Sequence, residues 1–158
     1  MSSESSLPSK LYTLVIVQNG QRVLLGYKKR GFGRGKWNGF GGKVEEGESI
    51  TEAAKRELLE ECNIECGKLD PVGVLRFEFE GNPIMMEVHV FKGNSFQGTP
   101  SETEEMIPRW FKLEDVPYQD MWIDDAYWWP HLIANKQFTA FFKYRGYDTI
   151  TDYHINTE

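Results

Sequence analysis

Two apolar runs open the chain, Leu11 to Val17 and Arg22 to Tyr27. The Gln-Asn-Gly-Gln between them is a tight-turn signal, so a β-hairpin is predicted. From Val72 to Glu80 apolar and polar residues alternate, which puts Phe77 and Phe79 on one face. Gly81-Asn82 turns the chain and Pro83 to Phe91 supplies the neighbouring strand. A short strand over Ile107 to Phe111 leads into an acidic, proline-containing loop. Phe138 to Arg145 and Thr149 to His154 read as a closing hairpin around Gly146. The period lengthens after Ser49, where Ile50, Ala54 and Leu58 fall along one edge of a helix at roughly 100° per residue. Ser49 with Glu52 three residues on is a capping box and marks its start. A second helix is expected from an N-cap at Asp124 or Asp125 to Ala134, with Pro130 kinking it or delaying its start. Strands interrupted by two helices give an α+β layered domain, without internal repeats.

Length and composition narrow the class. The 158 residues fit one core, with 14% aromatic residues. Residues 1–9 read as a mobile polar tail and 10–158 as a single domain. No apolar run reaches the ~20 residues of a membrane span. Cys62 and Cys66 lie far in sequence from the three histidines, so free thiols in a reducing compartment are expected rather than zinc. The expected setting is the cytoplasm, with nucleus and mitochondrion open, and the expected state is a monomer.

The net charge of −6 argues against a nucleic-acid polymer as partner. Its distribution says more. Residues 5–44 contain no Asp or Glu but carry Lys10, Arg22, Lys28, Lys29, Arg30, Arg34, Lys36 and Lys43. The sign then reverses through Glu45, Glu46, Glu48, Glu52, Glu57, Glu60 and Glu61. On the first helix Glu57, Glu60 and Glu61 crowd into an arc about 100° wide, where like charges repel. A hard divalent cation with oxygen ligands relieves this, and Mg²⁺ is the usual ion where carboxylates and substrate phosphates share one metal. A merely solvated acidic face is the alternative. Arg56 can orient a carboxylate from behind. The Gly31 to Gly42 loop allows close backbone approach to a ligand, and the Gly41 carbonyl can meet the metal.

Gly42, Glu48, Arg56, Glu57, Leu58, Glu60, Glu61 and Ile64 together resemble the Nudix box in register, with Asn63 where that pattern has Gly. That position ends the helix left-handed, and Asn tolerates it best among non-glycine residues. Beyond the box, RGFGRGKWNGFGGK, the Phe77-Glu78-Phe79 and Gln97 to Pro100 segments, EEM at 104–106 and MWIDDAYWWP resemble the Nudix branch that hydrolyses oxidised purine nucleoside triphosphates, related to bacterial MutT. Ile123 stands where that branch leads one to expect Pro.

The resemblance implies the Nudix α/β/α sandwich, a mixed β-sheet between helices. It also implies hydrolysis of nucleotides such as 8-oxo-dGTP or 2-oxo-dATP to the monophosphate and pyrophosphate, sanitising the nucleotide pool. Metal would be held by Glu57, Glu60, Glu61, the Gly41 carbonyl and Glu105, with Mn²⁺ able to replace Mg²⁺. Glu61 or Glu105 is the candidate base, and Glu48 braces the loop. A base slot is implied at Thr13, Phe32, Asn38, Phe40, Phe77, Phe79, Met86, Trp122, Asp124 and Asp125, with Ile123 beside it. Lys28 is expected near the nucleotide's polar end, and Gly41, Gly42 and Lys43 are further candidate substrate contacts. Adjacent carboxylates among aromatics can split their roles, one protonated and donating, the other ionised and accepting. The plainer alternatives are an N-cap for Asp124 and core packing for Phe77 and Phe79. Two other functions stay open: cleavage of another nucleotide such as ADP-ribose, and non-catalytic nucleotide or RNA binding.

Overall fold

The computed structural model describes residues 7–158. Its strands are β1 (Ser9–Asn19), β2 (Arg22–Lys28), β3 (Trp37–Asn38), β4 (Asp70–Phe79), β5 (Met85–Gly93), β6 (Met106–Lys112), β7 (Phe138–Arg145) and β8 (Thr149–Thr157). Its α-helices are α1 (Ile50–Cys62) and α2 (Asp125–Ile133). The sheet runs β3-β2-β1-β5-β4-β7-β8, with β6 also paired to β2. β1–β5 and β4–β7 are parallel and the remaining pairs antiparallel, so the sheet is mixed. Parallel neighbours need a crossover, and each crossover here carries a helix: α1 between β1 and β5, α2 between β4 and β7.

The unbroken apolar run of β1 follows from this layering. Leu14 and Ile16 join the core beneath α2 with Trp128, Trp129 and Leu132. Val15 and Val17 point the other way, into the core with Ala54, Leu58 and Cys62 of α1. A strand covered on both faces has no polar face to alternate with. The same division separates Val23 and Leu25 from Leu24 in β2. The result is a sheet between two helical layers.

Helix α1 begins as its capping box predicts: Ser49 Oγ accepts from the Glu52 amide at 3.1 Å and Glu52 Oε1 from the Ser49 amide at 2.8 Å. It ends at Asn63, whose φ of 64° is left-handed and whose amide donates to the Leu59 carbonyl. The second helix differs from expectation. Asp124 occupies the N-cap position with helical φ and ψ, and its side chain makes no capping bond. Pro130 lies inside this helix rather than at its start. Of the expected tail, residues 1–6 lie outside the described residues. Ser9 already begins β1, and the Pro8 carbonyl accepts from the Met85 amide at 2.9 Å. Among the described residues no helix is long and apolar enough to cross a membrane.

Because Asn63 already holds the left-handed turn, Asn63→Gly should leave stability within about 1 kcal/mol of the parent. Asn63→Val should lose about 1–2 kcal/mol. Urea unfolding of both variants measures the difference, and a tolerated valine would show that the turn does not constrain the helix end.

Candidate active site

β1 and β2 pair only near their turn, from Val17 opposite Leu24 to Asn19 opposite Arg22. Upstream, the chain entering α1 takes the edge of β1: Thr13 N donates to Gly42 O at 2.8 Å, and Val15 and Phe40 exchange bonds at 2.6 and 3.0 Å. Glycine is required for this approach. A Cβ at Gly41 would overlap the Thr13 carbonyl, and one at Gly42 would overlap the Glu57 carboxylate. The loop is thereby laid directly against the acidic arc of α1.

Arg56 organises that arc. Its Nε and Nη2 grip Glu48 at 2.9 and 2.8 Å, while Nη1 lies 3.1 Å from Glu60 and 3.4 Å from Glu57. Glu48 also accepts from the Glu45 amide at 2.9 Å, which ties the loop to the helix. The Arg56 hydrogen bonds, then that amide, hold the Glu48 carboxyl down at about 2. Glu61 is different. It is buried, its Oε1 accepts from the Gly41 amide at 2.9 Å, and its Oε2 lies 3.9 Å from Lys28 Nζ. Burial pushes its carboxyl up to about 8 despite Lys28, and burial also raises Glu57.

Lys28 reaches Glu105 at 3.4 Å, but the tighter partner of Glu105 is Arg30, through Nε at 2.9 Å and Nη2 at 2.7 Å. Those bonds draw the Glu105 carboxyl below its ordinary range. Thr103 fastens this loop to α1, donating to the Glu61 carbonyl at 3.0 Å and accepting from the Glu105 amide at 3.2 Å.

Among the described residues no three His, Cys, Asp or Glu side chains converge as a closed cation cage. The donor chemistry nevertheless fits a hard divalent ion. Glu57 and Glu61 are carboxylates that burial makes reluctant to ionise, set beside a cradle that a Cβ at Gly42 would fill. Glu60 and Glu105 are engaged by Arg56 and Arg30.

Next to Glu61 opens a cavity of about 260 Å³. Of the residues expected there, Thr13, Lys28, Phe32, Asn38, Gly41, Gly42, Phe77, Phe79, Met86, Trp122, Asp124 and Asp125 line it. Three do not. Phe40 is fully buried in the core under α1, on the other face of the sheet. Lys43 is exposed on the loop, and Ile123 is 40% exposed, outside the lining. Phe32 tilts against Trp122 at 5.0 Å between ring centres, and Lys36 Nζ sits 5.5 Å from the Trp122 ring.

Both aspartates are buried. Asp124 Oδ1 accepts from the Tyr144 hydroxyl at 2.6 Å and Oδ2 from Trp128 Nε1 at 2.8 Å, whereas Asp125 Oδ2 has no hydrogen-bond partner. Burial raises both carboxyls, and the Asp124 charge raises Asp125 further. The sequence alone does not mark Tyr144, Trp128, Arg30 or Thr103 as site residues. Trp128 reads as core, and nothing in strand alternation distinguishes Tyr144 from its packed neighbours.

The NUDIX domain pattern matches residues 8–132. The chain belongs to the Nudix family. Over 147 residues this Nudix chain is 54% identical to the oxidized purine nucleoside triphosphate hydrolase of Mus musculus, spanning 93% of this chain and 94% of the relative. The Danio rerio protein of the same description is 48% identical over 94% of this chain and 95% of the relative. A solved MutT protein from Bacillus halodurans aligns with a TM-score of 0.83 at 28% identity, covering 93% of this chain and 97% of that one. Nudix hydrolases generally use divalent metal ions, in keeping with the carboxylates on α1.

The Glu61 carboxyl takes its proton near 4.5 when unfolded and near about 8 when folded. The folded chain therefore holds an extra proton between these values. That contribution to stability is complete below the lower value and is lost as pH rises through the upper one. Urea unfolding of metal-free protein from about pH 5 to about pH 9 should show stability falling, with a shallower fall in Glu61→Gln. Equal slopes would place the extra proton elsewhere.

Proposed function

We propose that this Nudix enzyme hydrolyses oxidised purine nucleoside triphosphates, such as 8-oxo-dGTP and 2-oxo-dATP, to the monophosphate and pyrophosphate. Its metal would be Mg²⁺, with Mn²⁺ able to substitute. The observation that carries this reading is one cavity lined both by the buried Asp124–Asp125 pair and by Lys28, Gly41, Gly42 and Glu61 at the acidic helix. A purine at the aspartates leaves its phosphates directed towards the carboxylates. The two relatives described as oxidized purine nucleoside triphosphate hydrolases, aligned along nearly the whole chain, support the substrate class.

The aspartates supply a polar edge inside an aromatic slot. Asp125, buried with an unpartnered oxygen, presents an acid proton to a purine carbonyl. Asp124 keeps lone pairs for ring N–H groups, since each carboxylate oxygen can accept two bonds. Trp122 and Phe32 offer ring faces, and Asn38 can donate its amide protons because its oxygen already accepts from the Gly39 amide at 2.8 Å. At the other end, Glu57 and Glu61 would hold the divalent ion, which supplies charge neutralisation at the phosphates and polarises their oxygens. Lys28 adds a fixed positive charge for the phosphates. Glu61 lines the same cavity, and a bound cation would favour its ionised carboxylate, the form that can take the proton of the attacking water. Arg56 keeps Glu48, Glu57 and Glu60 in place around it. Residues 10–158 would work as one domain and a monomer, in the cytoplasm. The net charge of −6 favours a free nucleotide over a nucleic-acid polymer.

Pyrophosphate release with Mg²⁺ should give a kcat/KM for 8-oxo-dGTP at least about tenfold above that for dGTP or ADP-ribose. Chelation should abolish turnover. Faster cleavage of ADP-ribose would overturn the base reading while leaving the metal chemistry. Glu61→Gln should lower kcat by about a hundredfold or more with nucleotide binding still measurable by calorimetry. A variant with undiminished kcat would remove Glu61 from the proton-transfer role.

A further inference from the structure

Tyr144 lies on β7, beyond the stretch matched by the family pattern, which ends at residue 132. Its ring is fully buried and stacks on Phe79 at 5.4 Å, with Phe77 at 6.2 Å and Trp122 at 5.9 Å. It stands behind the cavity wall rather than in it. Its hydroxyl meets Asp124 twice: the Asp124 amide donates to the hydroxyl oxygen at 3.2 Å, and the hydroxyl donates to Asp124 Oδ1 at 2.6 Å. A phenol has a single hydrogen, and the amide approaches its oxygen, so that hydrogen is directed onto the carboxylate. On the other side Trp128 Nε1, which can only donate, meets Oδ2 at 2.8 Å. Both Asp124 oxygens therefore face donors. A proton placed on Asp124 would weaken both bonds, because a neutral carboxyl accepts less strongly than a carboxylate.

Asp125 has the opposite surroundings. Its Oδ2 is buried without a partner, while its own amide donates to the Trp122 carbonyl at 3.0 Å. The charged and titratable groups acting on it are Asp124, Lys36, Tyr118 and Tyr144, from its own segment, the glycine-rich loop, the turn before α2 and β7. Of two adjacent carboxyls sharing one proton, the oxygen lacking a donor is where it rests.

We propose that Tyr144 is a positioning residue that clasps Asp124 as the acceptor of the pair, leaves Asp125 as the donor, and so sets which purine edge the cavity prefers. This rests on the reading of the cavity as a base pocket. 8-Oxo-guanine carries a carbonyl at C6 with N–H groups at N1 and C2, whereas 2-oxo-adenine carries an amino group at C6 and a carbonyl at C2. For a base held in one orientation by its phosphates, these edges require opposite assignments of donor and acceptor. The clasp supports one assignment and penalises the other. With the clasp released, the proton can sit on either carboxyl and the two edges become more nearly equivalent.

The test is Tyr144→Phe, which keeps the ring and removes one oxygen. kcat/KM is measured for 8-oxo-dGTP, 2-oxo-dATP and dGTP in the parent and the variant. The parent should discriminate between the two oxidised nucleotides. In the variant their ratio should move towards one by about tenfold, the worth of a hydrogen bond to a charged group. The change should appear in KM, with kcat little altered, because the clasp is remote from the phosphates. Trp128→Phe, which removes the other donor, should move the ratio the same way, and it carries the test if Tyr144→Phe does not fold. An unchanged ratio in a folded variant, a parent ratio near one, or an equal loss on all three nucleotides overturns the proposal. A parent that fails to prefer either oxidised nucleotide over dGTP overturns the base-pocket reading and this inference with it. Unchanged discrimination in a selective enzyme overturns this inference alone.

Discussion

The approach of the Gly39–Gly42 backbone to β1 is the constraint on which both halves of the site depend. β1 is sealed on both faces by the two cores, so it cannot move to accommodate a bulkier loop. Thr13 and Val15 bond the loop directly; a Cβ at Gly41 would overlap the Thr13 backbone, and one at Gly42 would displace the Glu57 carboxylate. From that one contact the Gly41 amide reaches Glu61 and the Gly42 backbone lies against Glu57. The neighbouring Asn38 and Gly39 become the wall of the cavity. A pocket for an aromatic ring and a carboxylate cluster thus share one rigid seam. The distance between them is set by backbone rather than by flexible side chains.

The molecule places its electrostatic costs along that seam. Glu61, Asp124 and Asp125 are buried acids, and one Asp125 oxygen is left without a partner. Each is unfavourable in a folded chain unless something else supplies the missing interaction. Elsewhere the acids are answered within the protein, as Glu48 is by Arg56 and Glu105 by Arg30. Asp124 is answered too, by Tyr144 and Trp128. Glu61, only partly offset by the Gly41 amide and Lys28, and Asp125 therefore mark where ligands have most to offer, a cation at one end and a hydrogen-bonding ring at the other.

Much of this was legible from residue order. The hairpins followed from apolar runs broken by glycine turns, and α1 from its capping box and its apolar edge. The mixed sheet between helices followed from the Nudix resemblance. That Glu57, Glu60 and Glu61 share one arc of α1 was visible because helical spacing fixes neighbours locally; the approach of Gly42 to Glu57 was not. What was hidden involved contacts between distant segments. Phe40 reads like its loop neighbours, yet alternation along the edge of β1 turns it to the opposite core. Asp124 reads as an N-cap because local rules favour that role. Tyr144, twenty residues away across the sheet, claims its carboxylate instead. The partner of Glu105 was equally out of reach, since Arg30 meets it across a separation of 75 residues.

Cys62 and Cys66 bear on the durability of such a protein. An enzyme that meets oxidised nucleotides works where peroxides and radicals arise, and a thiolate is the side chain such oxidants attack first. Both sulfurs are buried, and burial pushes the Cys62 thiol up to about 12. At neutral pH that thiol stays protonated. Cys62, one residue after Glu61, is thus kept chemically quiet by the same core that holds the helix in place. The helix that bears the carboxylates would withstand the conditions that create their substrate.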